Sequence, residues 1–194
     1  MRLMETAPTG PARKFGDAHI YYVLHILNNS GVMSRGVLAD ILGIGEGSVR
    51  KILTLLKEWD LVTVRQTGIT LSDHGREFLK NIPMRLVKVP RSDYVIGTYQ
   101  QGILVEGIAD RITNGMYQRD SAIIAGATGA SVLVMRDGAL LLPKSWNMDI
   151  RDGQFAAEVR RSSGISEGDA LIITGASDPD IAALSAVATG LDML

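Results

Sequence analysis

The sequence has 194 residues, of which 46% are hydrophobic and 21% charged, with no cysteine and a formal net charge of −1. This is the composition of a globular chain long enough for one large domain or two small ones. The lack of cysteine excludes disulfides and thiolate metal sites and points to a cytoplasmic protein, and an aromatic content of 5% argues against a binder that stacks single-stranded bases. No run of about 18 apolar residues occurs, so no membrane span is expected. The charge is divided unevenly: residues 1–91 carry 13 Lys/Arg against 8 Asp/Glu, and residues 92–194 carry 7 against 13. A basic half followed by an acidic half predicts two domains with different partners, the first suited to a polyanion.

In chain order, residues 1–16, "MRLMETAPTGPARKFG", lack an apolar signal core and read as a flexible tail. From Asp17, Ile20, Tyr21, Leu24 and Leu27 recur at helical spacing until "NNSG" stops the run. Ser34 is placed to cap a short helix, "RGVLADIL", with Val37, Leu38 and Ile41 on one face and Gly43 ending it. "EGSVRKILTLLKEWD" follows, with Val49, Ile52, Leu53 and Leu56 as an apolar stripe. "LVTVR" and "ITLS", separated by "QTG", predict a hairpin, and "DHGREFLKNI" a further helix closed by Pro83.

Helix, helix, tight turn, helix, hairpin and helix is the order of a helix-turn-helix with a wing. The stretch "LADILGIGEGSVRKILTLLKEWDLVTVRQTGITLSDHGREFL" resembles the winged helix-turn-helix of transcription regulators. It is similar in particular to the N-terminal domain of the central glycolytic genes repressor, and more broadly to regulators of the multiple-antibiotic-resistance type. The resemblance covers residues 17–82 and implies double-stranded DNA as partner. Two departures stand out: "WDLV" replaces a more usual glycine-containing "xGLI", and Gly45 occupies a capping site where serine is common.

With the apolar stripe of the third helix turned inward, Glu46, Gly47, Ser48, Arg50, Lys51 and Thr54 are left for a major groove. Arg50 suits a guanine edge or a phosphate, while Lys51 and Lys57 suit phosphates. Ser48 and Thr54 are small donors that permit close approach, and Arg65, Gln66 and Thr67 stand at the wing tip. Gly47 in the first helical turn costs about 1 kcal/mol against alanine. A surface built for close approach to DNA gives that glycine a purpose.

Residues 83–93, rich in proline and basic side chains, are expected to form a linker, and residues 94–194 a second domain of α+β or α/β type for effector response or dimerisation. There "YVIGTY" and "QGILVEG" predict two strands joined by a turn, and "GMYQRDSAIIAGA" a helix. "SVLVMRDGALLLP" predicts a hairpin on a type I′ turn at Asp137-Gly138. "QFAAEVRRSSG" reads as a helix, "DALIITG" as a buried strand and "DPDIAALSAVATGLDML" as a final helix. The stretches "GMYQRDSAIIAGATGASVLVMRDGALLLP" and "EGDALIITGASD" resemble an archaeal domain of unknown function, numbered 4443, that follows a winged helix. That resemblance implies a regulator whose second domain has no established chemistry. The expected fold class is therefore α+β, a winged helix followed by a small α/β-type domain.

Other chemistry is weakly signalled. His19 and His25 lie six apart, off a common helical face, and no HExxH pair occurs, so no metal or cofactor is expected. "AGATGAS" ends a helix before a strand, the wrong polarity for a phosphate loop. At "ITGASDPD", Asp178 is a natural N-cap, Pro179 a first helical residue, and the carboxylates would oppose a phosphate. Tyr117, Arg119 and Asp120 are candidates to frame an effector pocket, or to pair within the fold. No histidine follows His74, so a Ser-His-Asp site in the second half is excluded and no enzyme is expected. In the final helix, Ile181, Leu184, Val187 and Leu191 are a candidate dimer surface, or a face for the domain's own sheet. The reading is a DNA-binding transcription regulator acting as a homodimer. Its alternatives are an adaptor whose winged helix binds protein, or a small enzyme built on the second domain.

Overall fold

A computed structural model of the chain describes residues 15–143 and 146–194. Most of the tail expected over residues 1–16 lies outside them. The chain divides into two compact units, one ending at Ile82 and the other running from Pro83 to Leu194.

The first unit contains α1 (Asp17–Ser30), α2 (Arg35–Leu42), α3 (Glu46–Glu58), β1 (Val62–Arg65), β2 (Gly68–Leu71) and α4 (Asp73–Asn81). Its core is the sum of the helical stripes: Ile20, Tyr21, Leu24 and Leu27 of α1, Leu38 of α2 and Val49, Ile52 and Leu56 of α3 all have 2% or less of their surface exposed. Each such side chain contributes about 1.5–3 kcal/mol by leaving water. Ser34 accepts from the amide of Val37 at the start of α2, and Gly43 ends the helix in the left-handed region. The α2 stripe differs from expectation. Leu38, Ala39 and Leu42 are buried, whereas Val37 is 45% exposed, because the core lies one residue further round the helix.

The hairpin pairs Val62 with Leu71 through Arg65 with Gly68, and Met33 exchanges two backbone hydrogen bonds with Ile69, at 2.9 and 2.8 Å. A β-carbon on Gly68 would lie 2.6 Å from Val32 Cγ1, so this glycine lets the wing close against the α1–α2 connection. Asp60 sits at φ 55° between α3 and β1 and fills the left-handed position for which glycine is the easier residue. Its carbonyl accepts from the Ser72 hydroxyl at 2.6 Å, while Ser72 also caps α4 by accepting from the amide of Gly75.

The second unit is built on one six-stranded sheet in the order β3 (Met84–Val87), β4 (Tyr99–Val105), β8 (Ala170–Ala176), β5 (Gly129–Arg136), β6 (Ala139–Leu142) and β7 (Trp146–Asn147). Every pairing is antiparallel. Helices α6 (Met148–Arg151) and α7 (Gly153–Ser163) lie between β7 and β8, α5 (Met116–Ile124) precedes β5, and α8 (Pro179–Met193) follows β8. The side-chain alternation of the strands serves two cores. Leu104, Leu133 and Leu171 pack with Phe155, Ala156 and Val159 of α7. Ile103 points the other way, 2.9 Å from the position of a β-carbon on Gly190 of α8. All seven residues of β8 are buried, as covering both faces of a central strand requires.

Two expectations for this unit are corrected. Residues 84–87 are no linker: they form β3, pairing Met84 with Val105 through Val87 with Gly102. "YVIGTY" is not a strand. Only Tyr99 onward is extended, because residues 94–98 cross the ends of β5 and β8, where a β-carbon on Gly175 would stand 2.3 Å from the Ile96 carbonyl oxygen. The Gln100 amide holds this crossing by donating to the carbonyls of Ser92 and Val95, both at 2.8 Å. Of the two readings left open for α8, the structure favours a face for its own sheet: Val187 and Leu191 are buried, Leu184 is half-buried, and Ile181 alone of the four is exposed. Asp137 and Gly138 take φ of 53° and 73°, the geometry of the expected type I′ turn.

A candidate nucleic-acid interface

The face of α3 turned away from the core carries Glu46, Gly47, Arg50, Lys51, Thr54 and Lys57, all exposed, with Ser48 half-buried. The helix starts on Gly45 in an extended conformation with no side-chain cap, so its first amides are open to a ligand. A β-carbon at Gly45 or Gly47 would meet nothing within 4 Å, which shows that neither glycine is demanded by packing.

Between α3, the first turn of α2 and the wing lies an open cleft of about 670 Å³. Four cations line it: Arg35 from α2, Arg50 and Lys57 from α3, and Arg65 from β1. Glu46, Thr54 and Gln66 also line it, whereas Gly47, Ser48, Lys51 and Thr67 do not. Among the described residues no carboxylate forms an ion pair with any of the four cations. Unpaired like charges around one concavity raise a positive potential that an anionic partner relieves.

Two side chains have partners within the fold. The Thr54 hydroxyl donates to the Arg50 carbonyl at 3.0 Å, which leaves its methyl group and oxygen lone pairs for a partner. The carboxylate of Glu46 stands over the first turn of α2, its Oε1 3.8 Å from the position of a β-carbon on Gly36. That is the positive end of a helix dipole, where an anion is stabilised. Glu46 thus has a structural reason to be acidic.

Arg35 is the residue that sequence reasoning overlooked. It is the first residue of α2, where a cation opposes the helix dipole. A charge that weakens its own helix was the available signal that it faces something else.

The second unit has an open cleft of about 430 Å³, lined by Arg91, Asp93, Tyr94, Asp152 and Glu158 among others, which includes none of the residues expected to frame an effector pocket. Tyr117, Arg119 and Asp120 are all exposed on α5. Arg119 borders a recess of about 180 Å³, with Asn114, Ser131 and Leu142 among its walls, which neither Tyr117 nor Asp120 lines. Successive 100° steps send Tyr117 and Asp120 to one side of the helix and Arg119 to the other. Among the described residues no group of three or more His, Asp or Glu side chains is placed to hold a metal ion, and no helix is long and apolar enough to cross a membrane. His19 accepts from the amide of Gly16 at 3.2 Å, and His25 shares a hydrogen bond with Asn29 at 2.9 Å. Asp178 accepts from the amides of Asp180 and Ile181, the capping role expected of it.

Residues 96–193, half the chain, match the model of a domain of unknown function, DUF4443. The chain belongs to the DUF4443 family. Residues 18–85 match the model of the CggR N-terminal DNA binding domain, so a DNA-binding domain precedes the DUF4443 portion. The hypothetical protein PH0730 from Pyrococcus horikoshii OT3 is similar in structure at a TM-score of 0.75 and 24% identity, over 93% of each chain. It shares the fold of the winged unit together with that of the DUF4443 unit. Weaker likenesses include the hypothetical protein SSo2273 from Sulfolobus solfataricus, with a TM-score of 0.31 and 20% identity over 34% of this chain and 53% of that one. BpsR of Bordetella bronchiseptica has a TM-score of 0.32 and 25% identity over 37% and 55%. No curated protein matches the sequence.

Proposed function

We propose that the protein is a cytoplasmic, sequence-specific transcription regulator that binds double-stranded DNA as a homodimer. The observation that carries this reading is the set of four unpaired cations, Arg35, Arg50, Lys57 and Arg65, around the cleft between α3 and the wing. The match of residues 18–85 to a DNA-binding domain supports it independently. In this reading α3 enters the major groove with its uncapped N-terminal end toward the bases, and Arg50 reads a guanine or grips a phosphate. Lys51 and Lys57 neutralise the backbone, and the wing brings Arg65, Gln66 and Thr67 to the flanking phosphates or the minor groove. Two copies related by a two-fold axis read half-sites about one helical turn apart. The DUF4443 unit supplies dimerisation, and a small effector that binds one dimer arrangement better than another changes the spacing of the two α3 helices.

A salt titration of duplex binding tests this. Wild type loses affinity steeply as salt rises, and Arg50→Ala with Lys51→Ala weakens binding and flattens the logarithmic slope by about 2. Absence of duplex binding by wild type even at low salt overturns the reading and favours a protein-binding winged helix. Selection of bound genomic fragments then names the operator.

A further inference from the structure

We infer that Glu46 determines base specificity: its carboxylate accepts from the amino group of a cytosine, so the duplex this chain selects carries a C·G pair at that position. The inference rests on the DNA-binding reading proposed above and names a base that reading leaves open.

Glu46, Arg50, Thr54 and Lys57 all line the cleft beside the wing, and all four are exposed. Spaced by four, four and three, they form one stripe along α3, from its first residue, Glu46, to Lys57 in its last turn. A glutamate four residues before an arginine or lysine is the favoured order for an ion pair within a helix. Glu46 and Arg50 do not make it: among the described residues neither has an ion-pair partner. The carboxylate leans instead over the first turn of α2, 3.8 Å from the position of a β-carbon on Gly36. Among the described residues no hydrogen bond holds it there. Both charged heads are left open to a partner.

A carboxylate in this place works against a grip on phosphate. Among the described residues that line the cleft, Glu46 is the one acid beside four cations, and it subtracts from the potential that draws a polyanion. The dipole of α2 makes the anion tolerable, yet a surface built only to hold the DNA backbone would be stronger with a neutral side chain. What repels phosphate suits a base edge. In the major groove cytosine presents its N4 amino donor, which a carboxylate accepts. Guanine N7 and O6 and thymine O4 are acceptors that repel it, and adenine sets an N7 acceptor beside its N6 donor. The N-terminal residues of a recognition helix are the ones that meet base edges, and Glu46 opens α3. Beside it Gly47 carries no side chain to hold the helix start away from the groove floor.

Selection from a pool of random duplexes by full-length wild type, Glu46→Gln and Glu46→Ala tests the assignment, read beside the affinity of each for an unrelated duplex. Wild type selects a motif with a fixed cytosine, and replacing that base weakens binding about 10-fold. Glu46→Gln moves the preference at that position alone to adenine, whose N6 and N7 suit an amide, and Glu46→Ala erases it. Both variants bind the unrelated duplex at least as tightly as wild type, which shows that they are folded. Identical motifs from wild type and Glu46→Ala overturn the assignment. So does a gain in affinity spread evenly over all sequences, the outcome of a purely electrostatic role. Either failure leaves the regulator reading standing, whereas a wild type that binds no duplex sinks that reading and this one with it.

Discussion

Gly75 and Leu61 meet backbone to backbone: a β-carbon on the glycine would stand 2.2 Å from the leucine carbonyl oxygen. That carbonyl also accepts from the amide of Ser72 at 3.0 Å, so it cannot retreat without loosening the start of α4. Gly75→Ala is therefore expected to destabilise the first unit by about 3 kcal/mol, the upper range for overpacking. Ser72→Ala, which removes the cap and the hydroxyl's bond to the Asp60 carbonyl, costs about 1–2 kcal/mol. Urea denaturation of the two variants checks the ranking, and an alanine at 75 that costs no more than the lost cap would show that the contact is not tight.

Gly47 is the opposite case. With nothing within 4 Å of its β-carbon position, Gly47→Ala is expected to stabilise the first unit by about 0.5 kcal/mol through helix propensity. Gly47→Leu leaves the fold intact and weakens duplex binding about 10-fold or more, because the new side chain occupies the approach to the DNA. Equal duplex affinity of wild type and Gly47→Leu would remove this face of α3 from the contact surface.

Burial lowers the pKa of both His19 and His25 below the ordinary histidine value, and each accepts or shares a hydrogen bond that suits the neutral ring. A group whose folded pKa is depressed takes up its proton more readily in the unfolded chain. The stabilisation is thus full above the ordinary value of about 6.5 and is lost as pH falls below it toward the lower folded values. The urea midpoint of the first unit should drop between about pH 7 and pH 5, and His19→Gln with His25→Gln should flatten that dependence. A midpoint that rises on acidification would contradict the direction.

What the sequence made legible was local. The stripe of Val49, Ile52, Leu53 and Leu56, the caps Ser34 and Asp178, and the turn at Asp137-Gly138 each depend on neighbours a few residues away. What it hid depends on contacts across the chain. Gly175 and Gly97 look like ordinary breakers until the segment around Ile96 is seen to cross over the ends of β5 and β8. "MRLV" is too short and too close to prolines to announce itself as a strand, and its pairing with β4 makes it one. The helix α8 is apolar on nearly every side, so periodicity could not tell which face meets the sheet. The candidate site divides the same way. Arg50 and Lys57 follow from the inward stripe of their own helix, whereas Arg35 joins them only because α2 and α3 fold together.

The six-stranded sheet tapers toward its margins. Its inner strands β4, β8 and β5 run for seven, seven and eight residues, but β3 has four and β7 only two. An extended segment of another chain would find few free amides and carbonyls on which to continue the ladder. Short margins of this kind oppose open-ended growth of the sheet by strand addition from one copy to the next.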